Sequence, residues 1–519
     1  MPLTHPKAPL FANINLFADI KTFEELEKRI SALSSDIERG DAFEVFAEAY
    51  LLTQPLIGAN NVWPGNNIPL DIAQNLGVNT PRDMGIDGMF ESPTHGRCAY
   101  QVKFRTDRPS LTWREISTFM GLTDRVGARM LFTNSEELPD VINDRSLFFC
   151  IRGNDLDKLE ENDFESISAL ITGMKYERKH KTPLPHQEEA ISNIISDLDI
   201  HDRTTAIMAC GTGKTLIALW TAERMGAKNI LVLVPSLALM SQTLREWIKE
   251  TSWRKYAYLS VCSDSTVEKD LDSIIVKQSE LSFPVTTNSY IVKAFLNSPF
   301  DGTKIVFSTY HSLKTISNGI PSGFSYDFAI FDEAHKTAGH KEKAFASALK
   351  NKGVSIKKRL FMTATPRHYD IKWRNKLGDP KSIYSMDDTE LYGLYSYKLS
   401  FRNACEKGII CKYKIVVSVV TSEMVEEEVI RRGDVLIEGD ILKAHHVANQ
   451  IALVKAIELH KTNKVISFHP SVKEADSFAS KGPDGITTHM PSLNSFHVNG
   501  KMPSSTRERT LNHFKGRFT

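Results

Sequence analysis

Residues 209–215 read Ala-Cys-Gly-Thr-Gly-Lys-Thr, and 117 positions after Thr215 the chain reads Asp-Glu-Ala-His at residues 332–335. Glycines in such a turn let backbone N–H groups point at phosphate oxygens, and a helix that begins there adds its dipole. Each stretch follows an apolar run typical of a buried strand, Thr205–Met208 and Phe328–Phe331. Buried strands that alternate with helices predict a doubly wound parallel sheet, with both stretches at its ligand-binding edge. The pair therefore predicts an α/β fold that binds a nucleoside triphosphate.

The glycine-rich stretch predicts a role for each of its polar residues. Lys214 is expected to hold the β and γ phosphates of ATP, and Thr215 to ligate Mg²⁺. Gly211, Thr212 and Gly213 are expected to line the phosphates with backbone N–H groups. Met208 stands where the first glycine of the full phosphate-loop pattern belongs, and this departure favours the shorter form found in helicases.

The acidic stretch predicts the metal and water chemistry of the same site. Asp332 is expected to bind Mg²⁺ through water, and Glu333 to orient or deprotonate the attacking water. His335 completes the predicted nucleotide-binding residues. Alone, these four residues would also suit a solvated helix cap, but the phosphate loop before them favours the catalytic interpretation.

Composition restricts the class of protein without naming a partner. The 519 residues are 41% hydrophobic and 24% charged, which is ordinary for a globular protein of about three domains. A net charge of +1 means that any nucleic-acid groove must be local. The six cysteines are scattered without a Cys-x-x-Cys pair, and no leader or membrane-length apolar run is present. We expect a cytoplasmic protein with no membrane partner.

Apolar periodicity predicts four regions. They are an α/β domain at 1–165 that begins with helices, a linker at 166–182, a first RecA-like domain at 183–390 and a partial second RecA-like domain at 391–519. The predicted helices of the first domain are Thr22–Ser34 and Ala42–Leu52. Its predicted strands are Gly85–Phe90, Arg97–Phe104, Ala128–Thr133 and Leu147–Arg152. The further strands predicted for the motor are Asn229–Val234, Lys304–Ser308 and Arg359–Met362, and those of the last region are Lys412–Val420 and Lys464–Phe468.

Residues 183–370 resemble the first motor domain of superfamily 2 (DEAH-box) helicases and translocases, above all the motor subunits of restriction enzymes. The resemblance implies that Gln187 contacts adenine. It implies that the nucleic-acid backbone is gripped by Pro235, Ser236, Ser308 and Thr309, which are suited to phosphate contacts that position a strand without reading bases. It also implies that Thr363 and Thr365 couple hydrolysis to movement.

The last region resembles only the beginning of the second motor domain. Tyr395–Tyr413, Val465–His469 and Phe496–Gly500 match passages of that domain. The arginines that reach the γ-phosphate in the family come after this point, and such arginines are worth about 10³ to 10⁵ in rate. We therefore expect a C-terminally incomplete motor, and favour a fragment of a longer protein over a degraded relative.

Two triplets near the N-terminus predict a metal-dependent nuclease. Gly85-Ile86-Asp87 and Gln101-Val102-Lys103 lie on neighbouring predicted strands, and alternation puts Gln101 and Lys103 on one face. Asp87 and Gln101 are expected to bind Mg²⁺, while Lys103 assists the attacking water and steadies the developing charge. An ordinary hairpin with a solvated aspartate and lysine is the alternative.

Residues 36–155 resemble the PD-(D/E)xK nucleases, and among them the Mrr-type restriction domains that carry glutamine in place of the usual acid. The resemblance implies that Glu44 is the additional acidic residue of the catalytic set. Asp83 competes with Asp87 for the metal role. Gln101 is neutral, so it is expected to bind the metal more weakly than a carboxylate would.

Three functions remain open on the sequence. The first is an ATP-dependent DNA translocase or helicase fused to a Mg²⁺-dependent endonuclease, acting on double-stranded DNA in restriction or anti-phage defence. The others are a repair or recombination helicase, and an ATP-switched nucleic-acid sensor, in which the N-terminal domain binds DNA without cutting. Target recognition is expected from a specificity or methyltransferase subunit, or from a missing C-terminal region.

Overall fold

The structure is a computed structural model that divides the chain into two compact units, 1–410 and 411–519. It describes residues 3–75, 85–123, 125–142, 147–262, 281–340, 348–351, 353–368, 383–421, 423, 441–481, 485–500, 502 and 504–516. The first unit contains two sheets that each support a set of predicted functional residues. We describe the two units separately.

The first sheet has five strands in the order β1-β2-β3-β4-β5. β1 to β3 are antiparallel neighbours, and β3 to β5 are parallel. The strands are β1 Asn61–Pro64, β2 Gly88–Ser92, β3 Gly96–Lys103, β4 Ala128–Thr133 and β5 Phe148–Ile151. The helices around it are α1 Ala8–Asn13, α2 Phe23–Ser31, α3 Asp36–Thr53, α4 Leu70–Asn75, α5 Trp113–Leu122, α6 Gly153–Leu156 and α7 Glu161–Thr172.

Local signals in the sequence explain most of these boundaries. Thr22 caps α2 by accepting a hydrogen bond from Glu25 N, and Ser35 caps α3 in the same way. The predicted hairpin is confirmed as β2 and β3. α3 begins six residues before the predicted Ala42, and α7 crosses the predicted domain boundary at 165 because Phe164 and Ile167 pack into the core of this domain.

The second sheet has seven strands, all parallel, in the order β14-β6-β12-β10-β7-β9-β8. Its strands are β6 Arg203–Met208, β7 Asn229–Val234, β8 Tyr256–Val261, β9 Thr303–Thr309, β10 Tyr326–Phe331, β12 Ile356–Thr363 and β14 Leu394–Leu399. β11 Gly339–His340 and β13 Ile383–Tyr384 form a separate small sheet. The helices are α8 Pro185–Ile200, α9 Lys214–Arg224, α10 Leu237–Glu250, α11 Ser289–Asn297, α12 Leu313–Gly319, α13 Thr389–Tyr392 and α14 Phe401–Glu406.

The strand order of the second sheet decides which loops meet. β12 lies between β6 and β10, so the loops after these three strands share one edge of the sheet. Buried apolar side chains cover both faces of this sheet in two separate clusters, as a parallel sheet requires. The five predicted motor strands are confirmed, and β8 and β14 were not predicted.

The first unit also joins its two sheets through polar and apolar contacts. Tyr258 of β8 donates its hydroxyl proton to Leu56 O at 2.8 Å, and Leu56 belongs to the same buried cluster as the core of the second sheet. Arg245 of α10 donates to Asp155 Oδ1 at 2.6 Å. The N-terminal domain is therefore packed on the β8 and α10 side of the domain that contains the second sheet.

The second unit contains helices at Ile441–His460, Val472–Ala479, Ile486–His489 and Ser504–Lys515. The strands predicted at Lys412–Val420 and Lys464–Phe468 are wrong, because neither stretch is in a strand. Val417 and Phe468 are 84% and 93% exposed, and a strand forms only beside a neighbour that pairs with its backbone. Leu394–Leu399, which we assigned to the last region, belongs instead to the second sheet. Throughout the described part of the chain, no helix is both long and apolar enough to cross a bilayer.

Candidate functional site

The phosphate loop lies between the end of β6 and the start of α9. Gly211 and Gly213 have φ angles of +82° and +84°, in the left-handed region that favours glycine. Thr212 turns its hydroxyl back to Ala209 O at 2.8 Å, which shapes the loop. Lys214 Nζ donates to Met208 O at 3.3 Å, so the lysine lies over the loop that it is expected to complete with phosphate.

Gln187 packs against this loop. Its Nε2 donates to Thr212 O at 3.2 Å, and its Oε1 accepts from Leu184 N at 2.8 Å. A Cβ on Gly213 would overlap the Gln187 amide, which explains why glycine is needed there. One hydrogen bond therefore fixes each end of the amide, while the group can donate twice and accept twice, so an adenine contact could be added to these two hydrogen bonds. That contact stays a prediction.

Asp332 and Glu333 follow β10 at the same sheet edge. Burial and the neighbouring charge of Glu333 raise the pKa of Asp332 to about 6, while the charge of Lys214 acts in the opposite direction. The pKa of Glu333 is lowered by its hydrogen bond with His335 and by Lys214. Glu333 has a φ of +48°, in the left-handed region that is uncommon for a residue with a side chain.

His335 connects this acidic pair to the end of β12. Its Nδ1 lies 3.3 Å from Glu333 Oε2 and 2.9 Å from Thr363 Oγ1. Thr363 is fully buried, and its hydroxyl also accepts from Thr365 N at 3.2 Å. Thr363 is thus connected to Glu333 through His335, and Thr365 is connected to His335 only through Thr363.

The residues at this edge fit a divalent cation that is shared with a nucleotide. In the described part of the chain no three His, Cys, Asp or Glu side chains are arranged to hold a metal by themselves. Mg²⁺ keeps several waters and is usually held by one or two carboxylates plus phosphates. Asp332, whose pKa is raised because burial and the charge of Glu333 outweigh the charge of Lys214, and the hydroxyl of Thr215, in the first turn of α9, would form a donor set of this kind.

The residues predicted to grip nucleic acid differ in accessibility. Pro235 and Ser236 follow β7 and are partly exposed, and Ser236 caps α10 by accepting from Leu239 N at 3.3 Å. Ser308 and Thr309 are buried instead. Their hydroxyls bond inside the protein, Ser308 to Thr309 O at 3.1 Å and Thr309 to Ser312 Oγ at 2.9 Å. The structure therefore leaves these two side chains turned inward, because they end a fully buried strand.

Two contacts at the site were not predicted. Tyr310, fully buried, donates its hydroxyl proton to Asp332 O at 2.8 Å. Trp247 of α10 donates Nε1–H to Thr215 O at 2.9 Å. Tyr310 follows Thr309 directly and could have been found from that motif, whereas nothing in the sequence connects Trp247 with Thr215, 32 positions earlier.

The second candidate site lies at the start of β2 and the end of β3. Asp87 precedes β2 and accepts from Val102 N at 2.7 Å through Oδ2. Gln101 is 2% exposed and donates Nε2–H to Gly85 O at 2.7 Å, while its buried Oε1 meets no hydrogen-bond donor among the residues that the structure describes, which exclude 76–84. Burying a carbonyl oxygen without a hydrogen-bond donor costs free energy, and a cation bound beside the oxygen would offset that cost. Lys103 ends β3, partly exposed.

The structure does not bring the whole predicted nuclease set to one face. Gln101 lies beside Gly85, and it shares its face of β3 with Ala99, which packs with Phe119 of α5 on one side of the sheet. Glu44 belongs to α3, whose apolar residues pack with Tyr100 on the other side. Successive residues of a strand point to opposite faces, so Gln101 and Tyr100 diverge. Asp83, the alternative metal ligand, lies outside the described residues.

The fold and the first site define a class: the first unit carries a RecA-like α/β domain with its candidate nucleotide site at the carboxyl edge of a parallel sheet. Residues 180–368 match the family described as Type III restriction enzyme, res subunit. This part of the chain, which carries the candidate nucleotide site, is therefore similar to that family.

Two viral proteins are similar to this chain over part of their length. A probable helicase from two isolates of African swine fever virus is 28% and 27% identical over 234 residues. The aligned part is 44% of this chain and 23% of the viral protein, so the chain spans less than a quarter of those relatives.

A solved structure extends the likeness to the N-terminal domain. The ATP-dependent Type ISP restriction-modification enzyme LlaBIII bound to DNA superposes with a TM-score of 0.71 and is 23% identical. The alignment covers 96% of this chain and 33% of that enzyme. At this identity the likeness shows the fold, including an α/β domain before the motor.

Proposed function

We propose that this chain is an ATP-dependent DNA translocase or helicase whose N-terminal domain is a Mg²⁺-dependent endonuclease, acting in restriction or anti-phage defence. One observation carries the proposal: the contact of His335 Nδ1 with both Glu333 and Thr363 at the end of β12. This contact connects the residue that would act on water with the residues that would transmit hydrolysis to movement.

The residues of the motor site divide the reaction between them. Bound Mg²⁺ would supply charge neutralisation at the phosphates and a template for in-line attack. Lys214 would leave Met208 O for the β and γ phosphates, which are stronger acceptors than a carbonyl. Glu333, whose pKa is lowered by His335 and Lys214, is ionised near neutral pH and can accept a proton or orient the water.

DNA is the partner that we propose. LlaBIII, with the same fold over 96% of this chain, was solved bound to DNA. Double-stranded DNA also agrees with the nuclease resemblance of the N-terminal domain. A specificity or methyltransferase subunit, a further C-terminal region and a cytoplasmic location are parts of the same proposal.

The motor half of the proposal is tested by ATP binding and hydrolysis in the presence and absence of plasmid DNA. We expect Lys214→Ala to lose ATP binding, because the phosphates lose their cation. Glu333→Gln should bind ATP with little change and hydrolyse it at least about a hundredfold more slowly, since the carboxylate is replaced by a neutral group of similar shape. Equal hydrolysis by wild type and Glu333→Gln would contradict the assignment of Glu333.

The nuclease half is tested with supercoiled plasmid and Mg²⁺. We expect nicking that disappears in Lys103→Ala and is preserved in Lys255→Ala, a matched control in which an exposed lysine paired with Asp301 is removed. Nicking that survives Lys103→Ala would assign the activity to another site or to a contaminant.

A second function is favoured by one observation. Because Gln101 and Glu44 lie on opposite sides of the first sheet, the N-terminal domain also fits a DNA-binding module that does not cut, as in a repair helicase or an ATP-switched sensor. This alternative predicts ATP hydrolysis stimulated by DNA, with no nicking under any divalent cation.

A further inference from the structure

The backbone of Glu333 has a conformation that the surrounding structure must hold. Its φ of +48° lies in the left-handed region, which costs free energy for a residue with a Cβ and persists only where neighbouring contacts fix it. The N–H of Glu333 donates to Asp332 Oδ1 at 3.0 Å, and its carbonyl accepts from Lys336 N at 2.9 Å. Both contacts lie within the same short loop, so neither fixes the loop against the rest of the domain.

Two contacts from outside the loop hold the backbone of Asp332. Asp332 N donates to Leu233 O of β7 at 2.9 Å, which continues the pairing of β10 with β7. Tyr310 donates its hydroxyl proton to Asp332 O at 2.8 Å. Tyr310 begins the turn Tyr310–Ser312 after β9, and β7 lies between β9 and β10 in the sheet. The tyrosine therefore reaches across the end of β7 to the acidic loop.

Tyr310 is itself fixed by its packing. Its side chain is fully buried, and its ring centroid lies 6.4 Å from that of Phe331. It belongs to the same apolar cluster as Leu233 and Phe361. Interiors are packed closely enough that the ring cannot turn without displacing these neighbours. The hydroxyl of Tyr310 is therefore a fixed donor to Asp332 O.

The hydrogen bond from Tyr310 sets the orientation of the peptide group between Asp332 and Glu333. A peptide group is planar and trans, so its C=O and N–H point in opposite directions. Because the oxygen points to Tyr310, the N–H of Glu333 is turned away from Tyr310 and meets Asp332 Oδ1. One hydrogen bond from the neighbouring segment therefore restrains the backbone on which the Glu333 side chain stands.

We propose that Tyr310 is a positioning residue of the ATP site, which orients the Asp332–Glu333 peptide so that the Glu333 carboxylate faces the water that attacks ATP. This inference rests on the proposed ATP hydrolysis and goes beyond it, because Tyr310 would act through the backbone and not on ATP itself. His335 Nδ1 lies 3.3 Å from Glu333 Oε2, so His335 holds the carboxylate end while Tyr310 holds the backbone end. A misplacement of about 1 Å at a reacting group costs on the order of a hundredfold in rate.

Two tyrosine-to-phenylalanine substitutions separate this role from the mere loss of a buried hydroxyl. Tyr310→Phe keeps the ring and its packing and removes the hydroxyl that donates to Asp332 O. Tyr258→Phe is the matched control, because Tyr258 is also buried and its hydroxyl also donates to a backbone carbonyl, Leu56 O, at 2.8 Å. Tyr258 lies in β8, at the contact with the N-terminal domain, so the control loses a comparable hydrogen bond outside the nucleotide site.

The experiment measures kcat and KM for ATP with the full chain and saturating plasmid DNA, and Lys214→Ala defines the background rate. We expect Tyr310→Phe to lower kcat about tenfold and to leave KM and the affinity for a fluorescent ATP analogue within about twofold of wild type. Tyr258→Phe should stay within about twofold in all three quantities, because it shares no hydrogen-bond partner with the site. In the Glu333→Gln background, Tyr310→Phe should lower kcat by less than about twofold, since residues that act as a unit are not additive.

The possible results separate the role of Tyr310 from the proposed hydrolysis. A kcat of Tyr310→Phe equal to that of wild type overturns the inference and leaves ATP hydrolysis by this chain intact. Equal losses in Tyr310→Phe and Tyr258→Phe, or a parallel loss of nucleotide affinity, would assign the effect to stability and overturn it as well. A loss of the same size in the Glu333→Gln background overturns it too, because Tyr310 would then act on another group. Hydrolysis by wild type no faster than by Lys214→Ala contradicts the proposed motor function together with this inference.

Discussion

Asp332 is placed where its negative charge is unfavourable in the nucleotide-free protein. Burial and the charge of Glu333 raise its pKa to about 6, above the ordinary value of 3.8. A carboxyl group with a raised pKa binds protons more tightly when folded, so its ionisation destabilises the fold at neutral pH. The penalty is complete above about pH 6 and declines as the pH falls toward the unfolded-state pKa.

We predict that Asp332→Asn stabilises the protein near pH 7.5. The free energy of unfolding should rise by on the order of 2 kcal/mol, because the variant removes the ionisation penalty and keeps an oxygen that can accept from Glu333 N. Urea unfolding at pH 7.5 and pH 4.5 measures this, and the advantage should shrink at the lower pH.

Asp327→Asn is a control for which we expect a change in the free energy of unfolding of the opposite sign. Burial raises the pKa of Asp327, but hydrogen bonds from the Lys357 side chain and from Asn229 N outweigh it and lower the pKa overall. Asp327→Asn should therefore destabilise at pH 7.5 and lose its effect as the pH falls through the ordinary range for aspartate. The same sign for both variants would contradict our account of Asp332.

At the scale of residues, the sequence was most informative where the chemistry is local. The phosphate loop and the acidic stretch could be found because glycine, lysine and carboxylate must follow one another at short spacing. The partners of these residues could not be found in this way. Thr363 binds His335 from 28 positions away, and only the neighbouring strands β10 and β12 bring them together.

Helix α10 contacts both the N-terminal domain and helix α9 after the glycine-rich loop. Ser236 caps its start, Trp247 donates to Thr215 O, and Arg245 and Lys249 reach acidic residues of the N-terminal domain. One helix therefore contacts the phosphate-binding helix and the preceding domain. Its amphipathic pattern is visible in the sequence, but the identity of the surfaces that it joins is not.

We predict that Arg245→Ala weakens the joint between the N-terminal domain and the motor. Asp155, which is 4% exposed, loses a hydrogen bond of 2.6 Å and keeps the backbone N–H of Arg152 at 3.3 Å and the more distant Lys158 Nζ at 3.8 Å. An incompletely paired buried carboxylate costs about 2 kcal/mol, and the loss should appear as a lower melting temperature in calorimetry.

Lys249→Ala is the matched control on the same helix. Lys249 binds Glu160, whose side chain is 68% exposed, and also lies 3.8 Å from the buried Asp163, which keeps its closer partner Arg178 at 2.8 Å. We therefore expect Lys249→Ala to cost less than about 1 kcal/mol, as for an exposed ion pair. A loss for Lys249→Ala as large as that for Arg245→Ala would show that burial of Asp155 is not the cause.

Elements that pair with long-range partners were the hardest to predict. β8 and β14 lie at the two edges of the second sheet, and neither was identified from its apolar pattern. The first three of the six residues of β14 are exposed or half-buried, so its sequence lacks the uniform apolar run of a central strand. Pairing with β6 makes it a strand.

At the scale of the whole molecule, the division at Ile410 differs from the domain boundary that we predicted at 390. β14 and α14 pack with the first unit, and Tyr397, Leu399 and Ala404 join its buried cluster. Ala209 N, at the start of the phosphate loop, donates to Leu399 O at 3.0 Å. The nucleotide site therefore depends on residues that follow the predicted boundary.

We predict that a protein ending at Ile410 folds and binds ATP, whereas one ending at Tyr392 aggregates. The shorter protein loses β14, which leaves the backbone of β6 unpaired along a sheet edge and exposes the apolar residues beneath it. Size-exclusion chromatography and binding of a fluorescent ATP analogue measure the difference. Equal behaviour of the two proteins would contradict the role of β14.

The sequence by itself determined the class of the motor, because a phosphate loop, its acidic partner and the buried strands before them are local requirements of backbone and burial. The tertiary structure decided what no local pattern contains. It placed β12 between β6 and β10, turned Ser308 and Thr309 inward, separated Gln101 from Glu44 and brought Tyr310 to Asp332. These results depend on which distant elements pack together, and packing energy is a property of pairs of elements rather than of either one alone.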